Sequence, residues 1–188
     1  VVFFTDQQRW DTTGIHGNPM GLTPNLDRLG RADTHLANSF TCQPVCGPAR
    51  SCLQTGLYAT TTGCWRNAIA LPEGSHTLAH SFAAAGYRTG YIGKWHLYNR
   101  ESRGPVPATH RFGYEYWLAS NVLEFTSDAY DTVVYDGDDN EVRLPGYRVD
   151  ALTDAGIRYM DANREGPFFL FLSYLEPHHQ NHLDDFPP

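Results

Sequence analysis

Three largely apolar runs divide the chain, and each is followed by polar, ionisable residues. The runs cover residues 1–4, 87–92 and 168–175. Apolar runs of this length are typical of parallel strands that are covered on both faces of a sheet. The pattern therefore predicts three buried strands that are far apart in sequence.

Helical patterns lie between these runs. Thr23 is placed to cap a helix that presents Leu26 and Leu29 on one face. A second helix is expected over residues 76–85, where Gly86 ends it. A third helix, closed near residues 166–167, carries an apolar stripe. The stripe consists of Val149, Leu152, Ile157 and Met160.

Strands that alternate with helices predict an α/β fold with a largely parallel central sheet and helices on both faces. Residues 100–145 are richer in Gly, Pro and Asp than their surroundings. We expect this stretch to be an excursion near the functional site, with short strands around residues 133–134 and at Val142.

Polar side chains follow each predicted strand at its carboxyl end. Asp6 follows the first strand, and Lys94 and His96 follow the second. His178 comes directly after the third. Ligands of open α/β sheets bind at this edge, so we expect these side chains to converge.

Composition and charge narrow the class of protein. Hydrophobic residues make up 41% of the 188 residues and charged residues 19%, which is typical of a globular domain. The net charge is −7, and the 14 Lys and Arg residues are scattered. That pattern excludes a basic nucleic-acid surface, but it leaves room for an anionic substrate. No apolar run approaches the roughly 20 residues that span a bilayer, so we expect no membrane span in this chain.

The cysteines are Cys42, Cys46, Cys52 and Cys64. Their spacing does not match a zinc finger or ribbon, and they are too sparse for a disulfide framework. One or two of them are candidates for buried thiols, and a single bridged pair stays open.

Cys46 is the cysteine with the clearest chemical setting. Pro48 suits the first turn of a helix, so Cys46 is expected at a helix N-terminus with Arg50 nearby. Such surroundings can depress the pKa of a thiol. The alternative of a buried structural thiol has equal weight at this stage.

The other candidate residues each have a plain structural alternative. Asp6 and Gln7 offer oxygen ligands to Ca²⁺ or Mg²⁺, but Asp is also common where a strand turns into a loop. Lys94 and His96 suit an anionic transition state and proton transfer, or they simply end a strand in solvent. The third strand is followed by several histidines, namely His178, His179 and His182.

Four ordered motifs resemble those of the type I sulfatase family. Residues 44–56, which contain Cys46, Pro48 and Arg50, closely resemble the signature Cys-x-Pro-Ser/Ala-Arg. Residues 86–96 resemble the second sulfatase signature, and residues 23–29 resemble the first helix of the family. Residues 4–7 resemble its first metal-binding strand, and the likeness thins beyond residue 100 until His178.

The resemblance implies an alkaline-phosphatase-like fold and hydrolysis of a sulfate ester. It implies that Cys46 is oxidised by a formylglycine-generating enzyme to formylglycine, whose hydrated aldehyde attacks sulfur. The resulting sulfated hemiacetal then expels sulfate. It also implies a divalent metal that is held by Asp6, Gln7 and the modified Cys46. Ca²⁺ is the expected metal, and Mg²⁺ and Mn²⁺ are the alternatives.

The family likeness also assigns roles to the remaining residues. Arg50 and Lys94 are implied to hold the diol and its charge. His96 is implied to take the proton that drives sulfate release, and His178 to contact sulfate and protonate the leaving oxygen. The substrate is implied to be a small-molecule or saccharide sulfate ester. A periplasmic or secreted location is favoured, and a cytoplasmic one stays open.

Gln7 departs from the family pattern, because a second Asp is usual at that position. This change also resembles the phosphonate monoester hydrolase branch, so a phosphonate monoester or phosphodiester hydrolase is an alternative function. A non-catalytic binding module is a third. We expect residues 1–188 to be an N-terminal part of the catalytic domain, which ends before the later metal ligands and the second lysine.

Overall fold

The computed structural model describes residues 1–99 and 102–178. The strands are β1 (Val2–Phe4), β2 (Arg88–Lys94), β3 (Tyr116–Ser120), β4 (Asp131–Tyr135), β5 (Glu141–Pro145) and β6 (Phe168–Ser173). The helices are α1 (Pro24–Ala32), α2 (Cys46–Thr55), α3 (Ala59–Thr62), α4 (Leu78–Ala84), α5 (Leu123–Thr126) and α6 (Arg148–Asn163). Short 3-10 helices cover Trp10–Thr12, Gly14–His16 and Ala108–His110.

These strands form one sheet in the order β1-β6-β2-β3-β4-β5. The first four strands in that order are parallel, whereas β4 and β5 are antiparallel to their neighbours. β6 is inserted between β1 and β2 although it is the last described strand in the chain. The carboxyl ends of β1, β6 and β2 therefore meet at one edge of the sheet.

Alternating side chains of β6 supply a core on each face of the sheet. Phe169 and Phe171 belong to one cluster, which α4 covers through a stacked contact between Phe82 and Phe169 with ring centroids 4.1 Å apart. Leu170 and Leu172 belong to the other cluster, which α6 covers. Burial of each such side chain contributes about 1.5–3 kcal/mol. This arrangement confirms the predicted α/β fold with helices on both faces.

The predicted helices lie close to their expected positions in the chain, but several of their apolar side chains are not buried as expected. Gly86 has a left-handed φ of 83° and follows α4 as expected. Within α6, Leu152 is buried, but Ile157 is 47% exposed, so the predicted stripe is wrong at that position. Leu26 and Leu29 of α1 are also exposed, because no described residue covers that face.

The stretch predicted as an excursion contributes a strand to the central sheet. β3 runs parallel to β2, with Ala119 opposite Gly93 and Ser120 opposite Lys94. β4 and β5 correspond to the short strands expected around residues 133–134 and 142. The prediction of an excursion was therefore wrong for residues 116–120. None of the helices in the described part of the chain is long and apolar enough to cross a bilayer.

Candidate active site

A cavity of about 540 Å³ opens beside the ends of β1 and β6 and the start of α2. Its wall combines side chains from distant parts of the chain, including Asp6, Gln7, Cys46, Asn67 and His178. Arg50 also reaches this wall. Lys94 lies beneath it, fully buried against Asp6. The edge at which ligands were expected to bind therefore carries a cavity with charged and polar side chains in its wall.

Asp6 is held at the end of β1 and faces two cations. Its backbone N–H donates to the carbonyl of Glu176 at 3.2 Å, which ties it to the turn after β6. Its Oδ2 lies 2.6 Å from Lys94 Nζ and 3.5 Å from Arg50 Nη2. Burial works to raise the pKa of Asp6, but the Arg50 and Lys94 charges outweigh it and hold the pKa below its ordinary value. Asp6 is therefore an ionised carboxylate inside the protein.

Cys46 is the first residue of α2, as the position of Pro48 predicted. The thiol Sγ donates to Asp6 Oδ1 over 3.7 Å, so it faces the cavity. Behind it, the N–H of Gly47 donates to Asn67 Oδ1 at 2.8 Å. Burial raises the pKa of the Cys46 thiol, and the opposing Lys94 and Arg50 charges do not reverse that shift. The depressed pKa considered for Cys46 in the sequence analysis is therefore wrong for the unmodified side chain, which is a protonated thiol.

Arg50, one turn into α2, anchors this helix to the sheet. Its Nη1 donates to the carbonyl of Lys94 and to Ser173 Oγ, each at 2.8 Å. Its guanidinium also lies 5.1 Å from the ring centroid of Phe4. Arg50 is therefore buried with one edge on the backbone of β2 and another toward Asp6.

Glu124 completes the surroundings of Lys94 and was missed by the sequence analysis. Its Oε1 lies 3.0 Å from Lys94 Nζ and 3.9 Å from His96 Nδ1. Burial works to raise the pKa of Glu124, but Lys94, a backbone hydrogen bond and His96 together hold the pKa below its ordinary value. Glu124 sits on the short helix α5, which follows β3. No local pattern marks a single carboxylate of this kind, because its partners are remote in sequence.

His96 is turned toward the same carboxylate by a change in backbone conformation. His96 lies two residues beyond Lys94, and it has a left-handed φ of 57°. Its N–H donates to the carbonyl of Asn121 at 2.8 Å. Burial, reinforced by the Lys94 charge, lowers the pKa of His96 to about 3. The imidazole is therefore neutral near pH 7 and able to accept a proton.

His178 reaches the cavity from the turn after β6. Its N–H donates to the carbonyl of Leu175 at 3.0 Å, and the residue is 7% exposed. The turn is braced by Arg148 of α6, whose Nη2 lies 2.7 Å from Glu176 Oε1. His178 is thus buried at the cavity, whereas His179 and His182 lie outside the described residues.

Asp6, Cys46 and His178 form a group with potential ligand atoms within 4.8 Å of one another. Asp6 Oδ1 faces Cys46, while Oδ2 faces the cations, so one carboxylate oxygen is directed to this group. Gln7 lines the same cavity with an exposed side chain and a left-handed φ of 59°. A carboxylate and an amide oxygen suit a hard divalent cation. The described residues therefore fit one side of a cation site.

The whole arrangement suits an anionic ligand with developing charge on its oxygens. Two buried cations, Arg50 and Lys94, lie beside a cavity with the nucleophile candidate Cys46 at its wall. Preorganised charges of this kind stabilise an oxyanion without reorganisation during the reaction. Asn67 is a second residue that the sequence analysis missed, because its contact joins a turn to the start of α2 at Gly47, 20 residues away.

Comparisons with known proteins agree with this geometry. The model of the family described as Sulfatase matches residues 1–188. An ulvan-active sulfatase of Formosa agariphila is 36% identical over 181 residues, covering 95% of this chain and 35% of that protein. The sulfatase YidJ of Escherichia coli is 31% identical, covering 93% of this chain and 37% of that protein. The chain thus spans about a third of the length of these curated relatives.

Two solved structures are similar in fold to this chain. One, described as a complex with its substrate D-glucosamine-2-N,6-O-disulfate, superposes with a TM-score of 0.81 and 25% identity. The superposition covers 95% of this chain and 34% of that one. The structure of yidJ from Bacteroides fragilis gives a TM-score of 0.86 at 23% identity, with 95% of this chain and 43% of that one covered. At that identity the second likeness concerns the fold alone.

Proposed function

Because this chain belongs to the sulfatase family, we propose that the protein hydrolyses a sulfate monoester through a nucleophile derived from Cys46. The observation that carries the proposal is the meeting of Cys46, Asp6, Arg50 and Lys94 at one cavity. These four residues come from three separate segments of the chain, because Cys46 and Arg50 both lie on α2. Their convergence is what a reaction on an anionic ester requires.

Arg50 and Lys94 are proposed to stabilise the negative charge of the sulfate group. Both are buried and already paired with Asp6, so their positions do not depend on the substrate. The pairing matters because an unpaired buried cation would cost several kcal/mol of stability, on the order of 3–5 kcal/mol. A bound sulfate ester adds negative charge to a site that these cations have prepared.

Cys46 is proposed to react after conversion to formylglycine. A protonated, buried thiol is a weak nucleophile, and burial raises the pKa of Cys46. A thiol would also leave a thiosulfate with no second hydroxyl to expel sulfate. The hydrated aldehyde of formylglycine would supply one hydroxyl for attack and a second for release, and a covalent intermediate divides one difficult displacement into two steps.

His96 and His178 are proposed to transfer protons in different steps of the reaction. The neutral imidazole of His96 is able to take a proton, and Glu124 at 3.9 Å would stabilise the imidazolium that forms. His178 lies beside Cys46 and Asp6, where it would contact sulfate and give a proton to the departing oxygen. A separate base and acid allow one proton to be removed and another to be donated within one turnover.

A divalent cation is proposed to be held by Asp6, Gln7 and the modified Cys46. The oxygen ligands suit Ca²⁺, Mg²⁺ and Mn²⁺ alike. The preference for Ca²⁺ comes from the likeness to the sulfatase family. When bound, the cation would polarise the sulfate oxygens. The remaining ligands and a second lysine are proposed to lie beyond residue 188, which the length of the relatives supports.

The substrate is proposed to be a sulfated saccharide or small molecule. Relatives are described as active on ulvan and as an N-acetylglucosamine-6-O-sulfatase, and one solved relative holds a sulfated glucosamine. A formylglycine-generating enzyme is the proposed maturation partner. The sequence has a net charge of −7 and scattered Lys and Arg residues, which does not suggest a nucleic-acid partner.

The test is made on full-length protein produced together with a formylglycine-generating enzyme. Peptide mass spectrometry across Cys46 should find an aldehyde or its hydrate in place of the thiol. The protein should then hydrolyse an aryl sulfate, and Cys46→Ala should abolish turnover. Cys64→Ala is the matched control, since Cys64 lies outside the cavity and should leave turnover intact.

Two other outcomes would redirect the assignment. Faster hydrolysis of an aryl phosphonate than of the aryl sulfate would favour a phosphonate monoester hydrolase, the alternative that Gln7 supports. An unconverted Cys46, in cells where a control sulfatase is matured, would favour a non-catalytic binding module on the same fold.

A further inference from the structure

Two cysteines outside the cavity face each other across the start of α2. Cys42 lies in the loop before the helix, and Cys52 lies on the helix itself. Their Sγ atoms are 2.9 Å apart, and both are thiols in this structure. Neither residue lines the cavity, and neither takes part in the proposed reaction. The sequence analysis left one bridged pair open without identifying its members.

The two thiols differ in ways that suit thiol–disulfide exchange. Cys42 is exposed, and the hydrogen bond from Cys52 lowers its pKa. Burial, with the same hydrogen bond, raises the pKa of Cys52 to about 11. The exposed thiol with the lower pKa is the better attacking group, and its neighbour is positioned to resolve the intermediate. A disulfide has an S–S length of about 2.05 Å, so the sulfurs need to approach by only about 1 Å.

We propose that Cys42 and Cys52 are a redox pair that forms a disulfide by exchange with a small-molecule disulfide such as oxidised glutathione. The Cys42 thiolate attacks one sulfur of the oxidant and releases one glutathione thiolate. This step leaves a mixed disulfide on Cys42. Cys52 then loses its proton, attacks the Cys42 sulfur and expels the second glutathione. Two protein thiols are oxidised and one glutathione disulfide is reduced to two thiols.

The disulfide closes a ring around the approach to Cys46. Residues 42–52 include Pro44 and Val45, which form part of the cavity wall, and Cys46 itself. Cross-linking would tie this wall to α2 and restrict the unfolded chain. Cys46 stays outside the pair because its sulfur faces Asp6 in the cavity. The inference does not rest on the proposed function, because it concerns only these two thiols.

The experiment uses purified full-length protein that is first reduced and then exposed to a series of oxidised-to-reduced glutathione ratios. Free thiols are alkylated after denaturation, and the peptides are analysed by mass spectrometry. We expect one cross-linked pair of peptides, Cys42 to Cys52, lighter by two hydrogens than the reduced pair. Oxidation should also raise Tm by roughly 2 °C or more.

Three variants separate this pair from unspecific oxidation. Cys52→Ser should accumulate glutathione on Cys42, because the resolving thiol is gone. Cys42→Ser should leave Cys52 reduced and remove the oxidation-dependent change in Tm. Cys64→Ser should leave the cross-link unchanged, since Cys64 is buried and its thiol donates to the Ile69 carbonyl at 3.1 Å. Stable glutathione on Cys42 in the unaltered protein, or pairing of Cys42 with Cys46 or Cys64, would overturn the proposal.

Discussion

Lys94 Nζ lies 3.0 Å from Glu124 Oε1, inside the protein and out of contact with solvent. The same ammonium group lies 2.6 Å from Asp6 Oδ2. One buried cation thus bridges a carboxylate at the cavity and a carboxylate behind it. Buried charges are tolerated when they are paired, so Lys94 depends on both carboxylates and Glu124 depends on Lys94.

Glu124→Gln should lower activity although Glu124 does not line the cavity. The change leaves Lys94 with Asp6 alone and weakens the electrostatic support of His96. We expect kcat to fall about 10- to 100-fold, the range for residues that orient a reactive group. Stability should fall by about 3 kcal/mol, measured by denaturant unfolding.

Glu141→Gln is the matched control for that experiment. Glu141 pairs with Arg143 at the surface, where its side chain is 48% exposed. This variant should stay within about 0.5 kcal/mol of the parent protein and keep its kcat. If both variants behave alike, Glu124 has no positioning role.

Arg50→Lys tests whether charge alone suffices at that position. Lysine keeps the charge but cannot make the paired contacts to the Lys94 carbonyl and Ser173 Oγ. We expect kcat/KM to fall on the order of 100-fold, as for loss of a preorganised donor. Arg143→Lys, at an exposed surface pair, should leave kcat/KM unchanged. An Arg50→Lys enzyme within twofold of the parent would show that the guanidinium geometry is dispensable.

His96 should make the fold sensitive to mild acid. Burial lowers its pKa to about 3, from 6.5 in the absence of the fold. Between these values the unfolded chain binds a proton that the folded chain does not, so stability falls as the pH falls. The slope from this one group approaches about 1.4 kcal/mol per pH unit. His96→Gln should therefore flatten the dependence of Tm on pH between pH 6.5 and pH 4. An unchanged slope would mean that His96 binds a proton as readily in the folded protein as in the unfolded chain.

Gly93→Ala should disrupt the sheet next to Lys94. A Cβ at Gly93 would lie 1.9 Å from the carbonyl oxygen of Ser173, on a backbone with a φ of 102°. Neither strand can move freely, because both are central to the sheet. We expect a loss of more than about 3 kcal/mol and loss of activity. Gly104→Ala meets no atom within 4 Å and is the control, with an expected change in Tm near zero. A Gly93→Ala protein as stable as this control would contradict the close packing of β2 on β6.

The parts of the fold with strong local patterns could be predicted from sequence. The apolar runs identified β1, β2 and β6, and Pro48 identified the start of α2. Burial on both faces was wrong for β1, which lies at the edge of the described sheet with Phe3 65% exposed. β3 escaped because its five residues are flanked by glycines, prolines and acidic residues that resemble a loop. Ile157 and the leucines of α1 followed an apolar period, yet burial depends on which neighbours are present.

The candidate site was predictable only where a motif or a strand end marked it. The residues at the ends of β1, β2 and β6 were expected to converge, and the distances from Asp6 to Lys94 and Cys46 agree with that expectation. Glu124 and Asn67 belong to no recognised motif and follow none of the predicted strands. Each acts through a partner more than a dozen residues away, which local sequence patterns do not report.

The insertion of β6 between β1 and β2 fixes the order in which the molecule can be assembled during synthesis. Among the described strands β1 pairs only with β6, so Asp6 has no fixed position until residues 168–173 have emerged. Cys46 emerges well before that. At a synthesis rate of about 5–20 residues per second, the intervening chain takes roughly 6–24 s to appear. During that interval the nascent chain presents Cys46 without its completed cavity, and a modifying enzyme that acts on unfolded chain can reach Cys46 only until β6 docks.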